Sequence, residues 1–115
     1  MPRISSVMFL LVVMSSLSWA ASLDDEIAYL LNVQAGSDCT FIRNDISYNS
    51  DAFNDHLQSK IRNNEEVIDS TEEFIEKIAT RSATSNSPYV ALCDGQLTIV
   101  SDWFTELLMA YRQNN

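Results

Sequence analysis

Residues 38–60, DCTFIRNDISYNSDAFNDHLQSK, hold a complete strand–turn–helix unit, and its reading decides the fold. Cys39 to Arg43 is short, β-branched and aromatic, which predicts a strand. Asn44 and Asp45 tolerate a left-handed backbone and turn the chain into a second short strand around Ile46 to Tyr48. Ser50 is placed to cap a helix running from Asp51 to about Arg62. Strands and a helix alternating within so short a stretch exclude an all-helical bundle and a simple sandwich.

The predicted helix carries an unusual face. With Phe53 set at zero and a step of ~100° per residue, Leu57 falls at about +40° and Ile61 at about +80°. On the same scale His56 lies near −60° and Lys60 near −20°, inside the apolar arc. Both polar side chains are therefore expected to point toward the body of the protein or its rim. A lysine so placed must snorkel or find a carboxylate, because an unpaired buried charge is costly. A histidine there needs a partner for its ring nitrogens. Two readings follow. Either His56 is a base and Lys60 an anion holder in a polar pocket, or His56 is a satisfied structural residue and Lys60 sits in a half-buried ion pair. Arg43 poses a similar choice between one of the chain's many acids and a ligand, since a guanidinium forks onto either.

Outward from this unit, Leu23 to about Ala35 reads as a helix. Ser22 can cap it, Asp24, Asp25 and Glu26 crowd its first turn, and Gly36 suits its end. Beyond residue 60, Ser70 and Glu73 stand at capping-box spacing before a helix expected to reach about Arg81. The apolar face of that helix is Phe74, Ile75, Ile78 and Ala79. SATSNSP is a loop by composition, PYVALC a strand ending at Cys93, Asp94-Gly95 a hairpin turn, and Gln96 to Val100 the returning strand. Ser101 is placed to cap a last helix whose Trp103, Phe104, Leu107, Leu108 and Tyr111 share an arc of ~140°. The predicted fold is α+β, with about four helices packed on a small, mainly antiparallel sheet.

The ends and the composition bound the rest. Arg3, the apolar run Val7 to Met14, and Ser18 and Ala20 before a break predict a signal peptide over residues 1–20. The run is too short to span a bilayer. A retained membrane anchor is the alternative. Residues 21–115 then form a single small domain, in which a covalent staple matters. Once exported, six basic residues face sixteen acidic ones, a net charge of about −10. Such a chain has no footprint for nucleic acid and is repelled by anionic lipid, whereas a basic protein of the envelope would suit it. Cys39 and Cys93 are the only cysteines, and in an oxidising compartment they predict one disulfide closing a loop of 54 residues. A catalytic thiol is the competing reading.

Motifs for chemistry are scarce. A lone histidine and two paired cysteines do not build a zinc site. Two glycines supply no phosphate-cradling loop, no G-x-S-x-G elbow is present and no EF-hand pattern appears. No cofactor or metal is expected. A pair of glycosidase-type carboxylates has no fixed spacing in sequence and is left unconstrained.

CTFIRND-x-x-Y, HLQSK, FIEKIATRSATSNSPYV and the terminal WF…L…YR resemble the YfeK-like proteins, small exported bacterial proteins with a domain of unknown function. The resemblance runs from about Ile27 to Arg112. It is most specific at Phe41, Arg43, Asn44, His56, Leu57, Lys60, Phe74, Ile75, Ala79, Ser82, Ser85, Pro88 and Tyr89. The chain departs from the family at Asp45 and Asn86, where glycine is usual; both residues tolerate a left-handed backbone. The resemblance implies a single exported, periplasmic domain and no particular activity.

The expected role is a non-enzymatic binding or interaction domain of the cell envelope. One specific form is an immunity or inhibitor protein against a basic toxin or enzyme. A different class is a small hydrolase or ligand-binding enzyme using His56, Lys60, Arg43 and one of Ser82 or Ser85.

Overall fold

A computed structural model describes residues 22–63 and 68–114. The leader expected over residues 1–20 lies outside the described residues. Within them the order is α1 (Leu23–Gly36), β1 (Thr40–Arg43), β2 (Ile46–Tyr48), α2 (Ser50–Asn63), α3 (Thr71–Lys77), β3 (Val90–Cys93), β4 (Gln96–Ile99) and α4 (Val100–Gln113). The four strands form one antiparallel sheet in the order β2-β1-β3-β4. This is the α+β domain that the sequence predicts.

Sheet register separates two faces. Phe41 stands opposite both Tyr48 and Ala91, and its side of the sheet meets the helices. Phe41 stacks on Phe53 of α2 with centroids 4.7 Å apart and lies 6.1 Å from the Trp103 ring of α4. Leu30, Phe74, Ile78, Ala79, Tyr89, Val100 and Phe104 complete a core from which water is almost wholly excluded. The opposite face carries Ile42, Val90, Leu92, Leu97 and Ile99, and the last three are exposed.

The turns sit where the residues allow them. Asn44 and Asp45 adopt φ of 54° and 65°, Asn86 61°, and Asp94 and Gly95 51° and 81°. Asp45 and Asn86 thus hold the left-handed backbone expected of residues standing in for glycine. Two consecutive positive φ values at Asp94-Gly95 are those of the tight turn that matches strand twist.

Helix ends differ from expectation in detail. Ser22 caps α1 by accepting from the Asp25 amide at 3.1 Å, and Ser70 caps α3 through the Glu73 amide at 3.1 Å. Gly36 is the last helical residue of α1 and not its stop; Ser37 closes the helix by donating its hydroxyl to the Gln34 carbonyl. Asn49, not Ser50, caps α2, its side-chain oxygen accepting from the Ala52 amide at 2.8 Å. The Ser50 hydroxyl instead donates to the Ser37 carbonyl and pins the end of α1 to the start of α2. Nor does Ser101 cap α4, which begins one residue earlier at Val100 with no side-chain cap.

Helix α3 stops at Lys77 rather than near Arg81. The Thr80 hydroxyl donates to the Ile75 carbonyl at 2.6 Å, and the Lys60 ammonium takes the Ile78 carbonyl at 2.8 Å. The Thr80 hydroxyl thus takes the carbonyl that the Ala79 amide would have used, and Ala79 N–H bonds to Phe74 instead, while Lys60 satisfies a carbonyl left over past the helix end. The chain then pairs with itself, Tyr89 N–H to Thr80 and Ser82 N–H to Ser87, closing residues 81–88 into a loop.

Two long-range ties fix the layers. Cys39 and Cys93 form a disulfide beside the β1–β3 ladder, with Cα atoms 4.5 Å apart. Arg112 of α4 reaches Glu26 of α1 through Nε at 2.9 Å and Nη2 at 2.8 Å, and Glu72 of α3 through Nη1 at 2.6 Å. Thr71 donates a further bond to Glu26 at 2.7 Å, so a nearly buried carboxylate is fully satisfied.

Reduction of the disulfide, or Cys39→Ala with Cys93→Ala, is expected to cost up to ~4 kcal/mol in denaturant melts. A variant as stable as the parent contradicts the stapling role. The Arg112 bonds hold the Glu26 carboxyl below the usual range, against the opposing effect of burial. The unfolded chain therefore takes up a proton first, and this contribution is full above the ordinary carboxylate range and fades as pH falls through the folded value. Arg112→Ala strands the buried Glu26 charge and should cost about 3 kcal/mol. Glu72→Ala removes only an exposed partner and should cost about 1 kcal/mol or less. Equal losses in thermal melts would contradict this ranking.

Candidate functional site

Helix α2 lays Phe53 and Leu57 into the core, and the same face carries His56 and Lys60 to its rim. The Tyr89 ring, buried at the start of β3, meets them there. Phe53 packs edge-on against Tyr89 with centroids 5.1 Å apart, and His56 does so at 5.6 Å. A buried tyrosine still needs a partner for its hydroxyl, and Tyr89 has two. His56 Nε2 lies 2.8 Å from the Tyr89 hydroxyl oxygen and Lys60 Nζ lies 3.0 Å from it.

Lys60 is satisfied in a way the sequence does not announce. Nζ donates to the carbonyls of Ile78 at 2.8 Å and Arg81 at 3.0 Å and to the Tyr89 hydroxyl. No carboxylate takes part. An ammonium has three protons, and here all three are engaged. Burial first, and then the Arg43 charge, bring the Lys60 pKa down to about 8. Burial also leads at His56, where the charges of Arg43 and Lys60 add to it and the pKa falls to about 4. The imidazole is thus neutral near pH 7 and the lysine mainly protonated. Burial raises the Tyr89 pKa, with Arg43 pulling the other way.

Arg43 is the second cation at this point. Its Nη1 donates to the Tyr48 hydroxyl at 3.1 Å and its guanidinium lies over the Tyr48 ring, while its buried Nε has no hydrogen-bond partner. The expected pairing with an acid is not what holds Arg43 in place. Arg43, His56 and Lys60 therefore converge around one tyrosine.

A cavity of about 550 Å³ opens beside this cluster, lined by His56, Lys60, Lys77, Arg81, Ser82 and Asn86 among others. Among the described residues no carboxylate lines it. Lys77 pairs at 3.9 Å with Glu73, one turn back on α3. The Arg81 side chain has no hydrogen-bond or ion-pair partner among the described residues. Its neighbours on the loop are spoken for. The Ser82 hydroxyl, buried, accepts from the Thr84 amide at 3.3 Å and lies 3.1 Å from the Thr84 hydroxyl.

Of the residues singled out from sequence, His56, Lys60 and Ser82 share this cavity, while Arg43 does not line it and acts on Tyr89 behind it. Ser85 lies outside it, its hydroxyl bonded to Asn44 of the β1–β2 turn. No hydrogen bond joins His56 to Ser82 or Ser85. Tyr89, Lys77 and Arg81 were not anticipated as site residues. Tyr89 could have been found from strand parity, since it alternates with Ala91 on the core-facing side and must seek polar partners there. Arg81 and Lys77 carry no such signal. Among the described residues no cluster of ligating side chains could hold a metal ion, and no helix is long and apolar enough to cross a membrane.

The chain is 38% identical over 52 residues to the uncharacterized protein YfeK of Salmonella typhimurium, an alignment covering 45% of this chain and 43% of that relative. The chain thus aligns with less than half the length of that curated relative. No solved structure matches it. Residues 21–112 match the family of unknown function DUF5329, and the chain belongs to that family.

Proposed function

We propose that this protein is a non-enzymatic binding domain of the bacterial envelope, exported through its N-terminal segment, and that the cavity beside Tyr89 receives an anionic group of its ligand. The single observation that carries the reading is charge separation. Lys60, Lys77 and Arg81 gather at one cavity in a chain of sixteen acidic and seven basic residues, and no described carboxylate lines that cavity. Holding like charges together is unfavourable unless a counter-charge arrives. The unpaired Arg81 fork suits a carboxylate or phosphate oxygen pair.

Lys60 plays a different part from the one its position first suggests. Its three protons are committed to Ile78, Arg81 and Tyr89, so it contributes field and not a direct bond. Lys77 and Arg81 would supply the contacts, with His56 beside them. A nucleophilic reading finds less support, because both candidate serines spend their hydroxyls on Thr84 and Asn44.

Titration with inorganic phosphate, followed by backbone amide shifts, is expected to move Arg81, Ser82 and Lys77 first. Arg81→Ala should weaken the response about tenfold, a loss of ~1.4 kcal/mol, and added salt should weaken it further. Amides at the cavity that stay fixed to high phosphate would refute the anion site. Export has a separate check. Protein recovered from the periplasm of a Gram-negative host should begin at Ala21, and a full-length product retained in the cytoplasm would refute the envelope assignment.

A further inference from the structure

The hydrogen bonds at Tyr89 form a directed chain, and their direction follows from counting protons. An ammonium only donates, so while Lys60 is charged the Tyr89 oxygen must accept from it at 3.0 Å. The tyrosine proton then has one destination within reach, His56 Nε2 at 2.8 Å. Nε2 must accept, and so the neutral ring carries its hydrogen on Nδ1. Nδ1 has no partner among the described residues, and His56 lines the cavity. The imidazole therefore presents an N–H donor to whatever occupies that space.

We propose that Lys60, Tyr89 and His56 are a reversible proton relay, which makes His56 a hydrogen-bond donor toward the cavity while Lys60 is charged and an acceptor once Lys60 is neutral. The second arrangement is as well satisfied as the first. A neutral amine keeps two N–H bonds, enough for the Ile78 and Arg81 carbonyls, and its lone pair accepts the Tyr89 proton. Tyr89 then accepts from His56 Nε2–H, and Nδ1 is left with a lone pair. The protons balance: one passes from Lys60 to the Tyr89 oxygen, one from Tyr89 to Nε2, and one leaves Nδ1 for solvent in the cavity. The net change is loss of a single proton, with no heavy atom displaced. Among the described residues the other charged groups facing the relay are cationic, namely Arg43 from β1, Lys77 from α3 and Arg81 from the loop, and they favour the release. Glu73 is held by Lys77 at 3.9 Å.

The consequence for recognition rests on the anion-binding reading. With Lys60 charged, Lys77, Arg81 and His56 all present donors to the cavity, an arrangement that favours a deprotonated anion. With Lys60 neutral, it accepts a ligand that brings a donor of its own. His56 is thus the specificity-determining residue, and Lys60 and Tyr89 are positioning residues that act through it.

His56 is the only histidine in the chain, so ring nitrogen-15 shifts and long-range ring couplings report on it without ambiguity. In the free protein near neutral pH the proton is expected on Nδ1. It should move to Nε2 with a midpoint at about 8, the titration of Lys60. Lys60→Met should abolish that transition, leave a mixture of tautomers, and raise the imidazole's own pKa by removing one of the charges that lower it. A purely structural lysine would alter stability and leave the tautomer unmoved. A proton on Nε2 at neutral pH, or one unchanging tautomer through alkaline pH, overturns the relay. The measurement contains no ligand, so its outcome is independent of whether phosphate binds.

Discussion

A half-buried ammonium must place three N–H bonds, and that requirement at Lys60 organises one side of the molecule. Two of the bonds go to main-chain carbonyls past the end of α3 that have no helical partner. The third fixes the Tyr89 hydroxyl. One side chain of α2 therefore anchors the segment after α3, closes the base of the 81–88 loop and sets the start of β3. A carboxylate partner would have neutralised the charge and left those carbonyls free. Pairing with carbonyl dipoles keeps the positive charge while satisfying its hydrogen bonds, and so the cavity stays cationic.

The acids that might have entered this cluster are engaged elsewhere. Glu26 and Glu72 are held by Arg112 where α1, α3 and α4 meet, and Glu73 turns back along its own helix to Lys77. Arg43 stacks on Tyr48 beside the sheet. The result is a chain that is strongly acidic overall yet cationic at one opening. A cleft lined by one sign of charge and walled by low-dielectric protein concentrates its field at the opening.

How much of this was legible in the sequence depended on whether the constraint was local. Helical periodicity placed Phe53, Leu57, His56 and Lys60 on one face, and strand parity with the Asp94-Gly95 turn set the hairpin; each rests on backbone geometry repeating every few residues. The disulfide followed from having two cysteines and nothing else for them to do. Caps were less secure, because Asn49 and Ser50 are both good capping residues and α4 starts at Val100 with no side-chain cap, the choice depending on where the preceding strand releases the chain. The end of α3 was illegible for a stronger reason. The Thr80 hydroxyl takes the Ile75 carbonyl, and the carbonyls beyond the helix end are held by Lys60, eighteen residues upstream of Ile78. A lysine that bonds to main-chain oxygen leaves no complementary residue to search for, and so Arg43 and Lys60 both invited acidic partners that they do not have.

We propose binding over catalysis at this site on chemical grounds. Acyl or phosphoryl transfer needs a nucleophile free to attack within reach of a base. Ser82 is the only serine hydroxyl among the sequence candidates that sits at the cavity, and it accepts the Thr84 amide inside a tight turn, so freeing it would unpin the loop. His56 in turn gives Nε2 to Tyr89, and while Lys60 is charged its other nitrogen carries the proton that a base would have to remove. The same hydrogen bonds that make the histidine a poor base make it a well-defined donor. A group held as a donor beside several cations is suited to recognising an anion and to leaving it chemically unchanged.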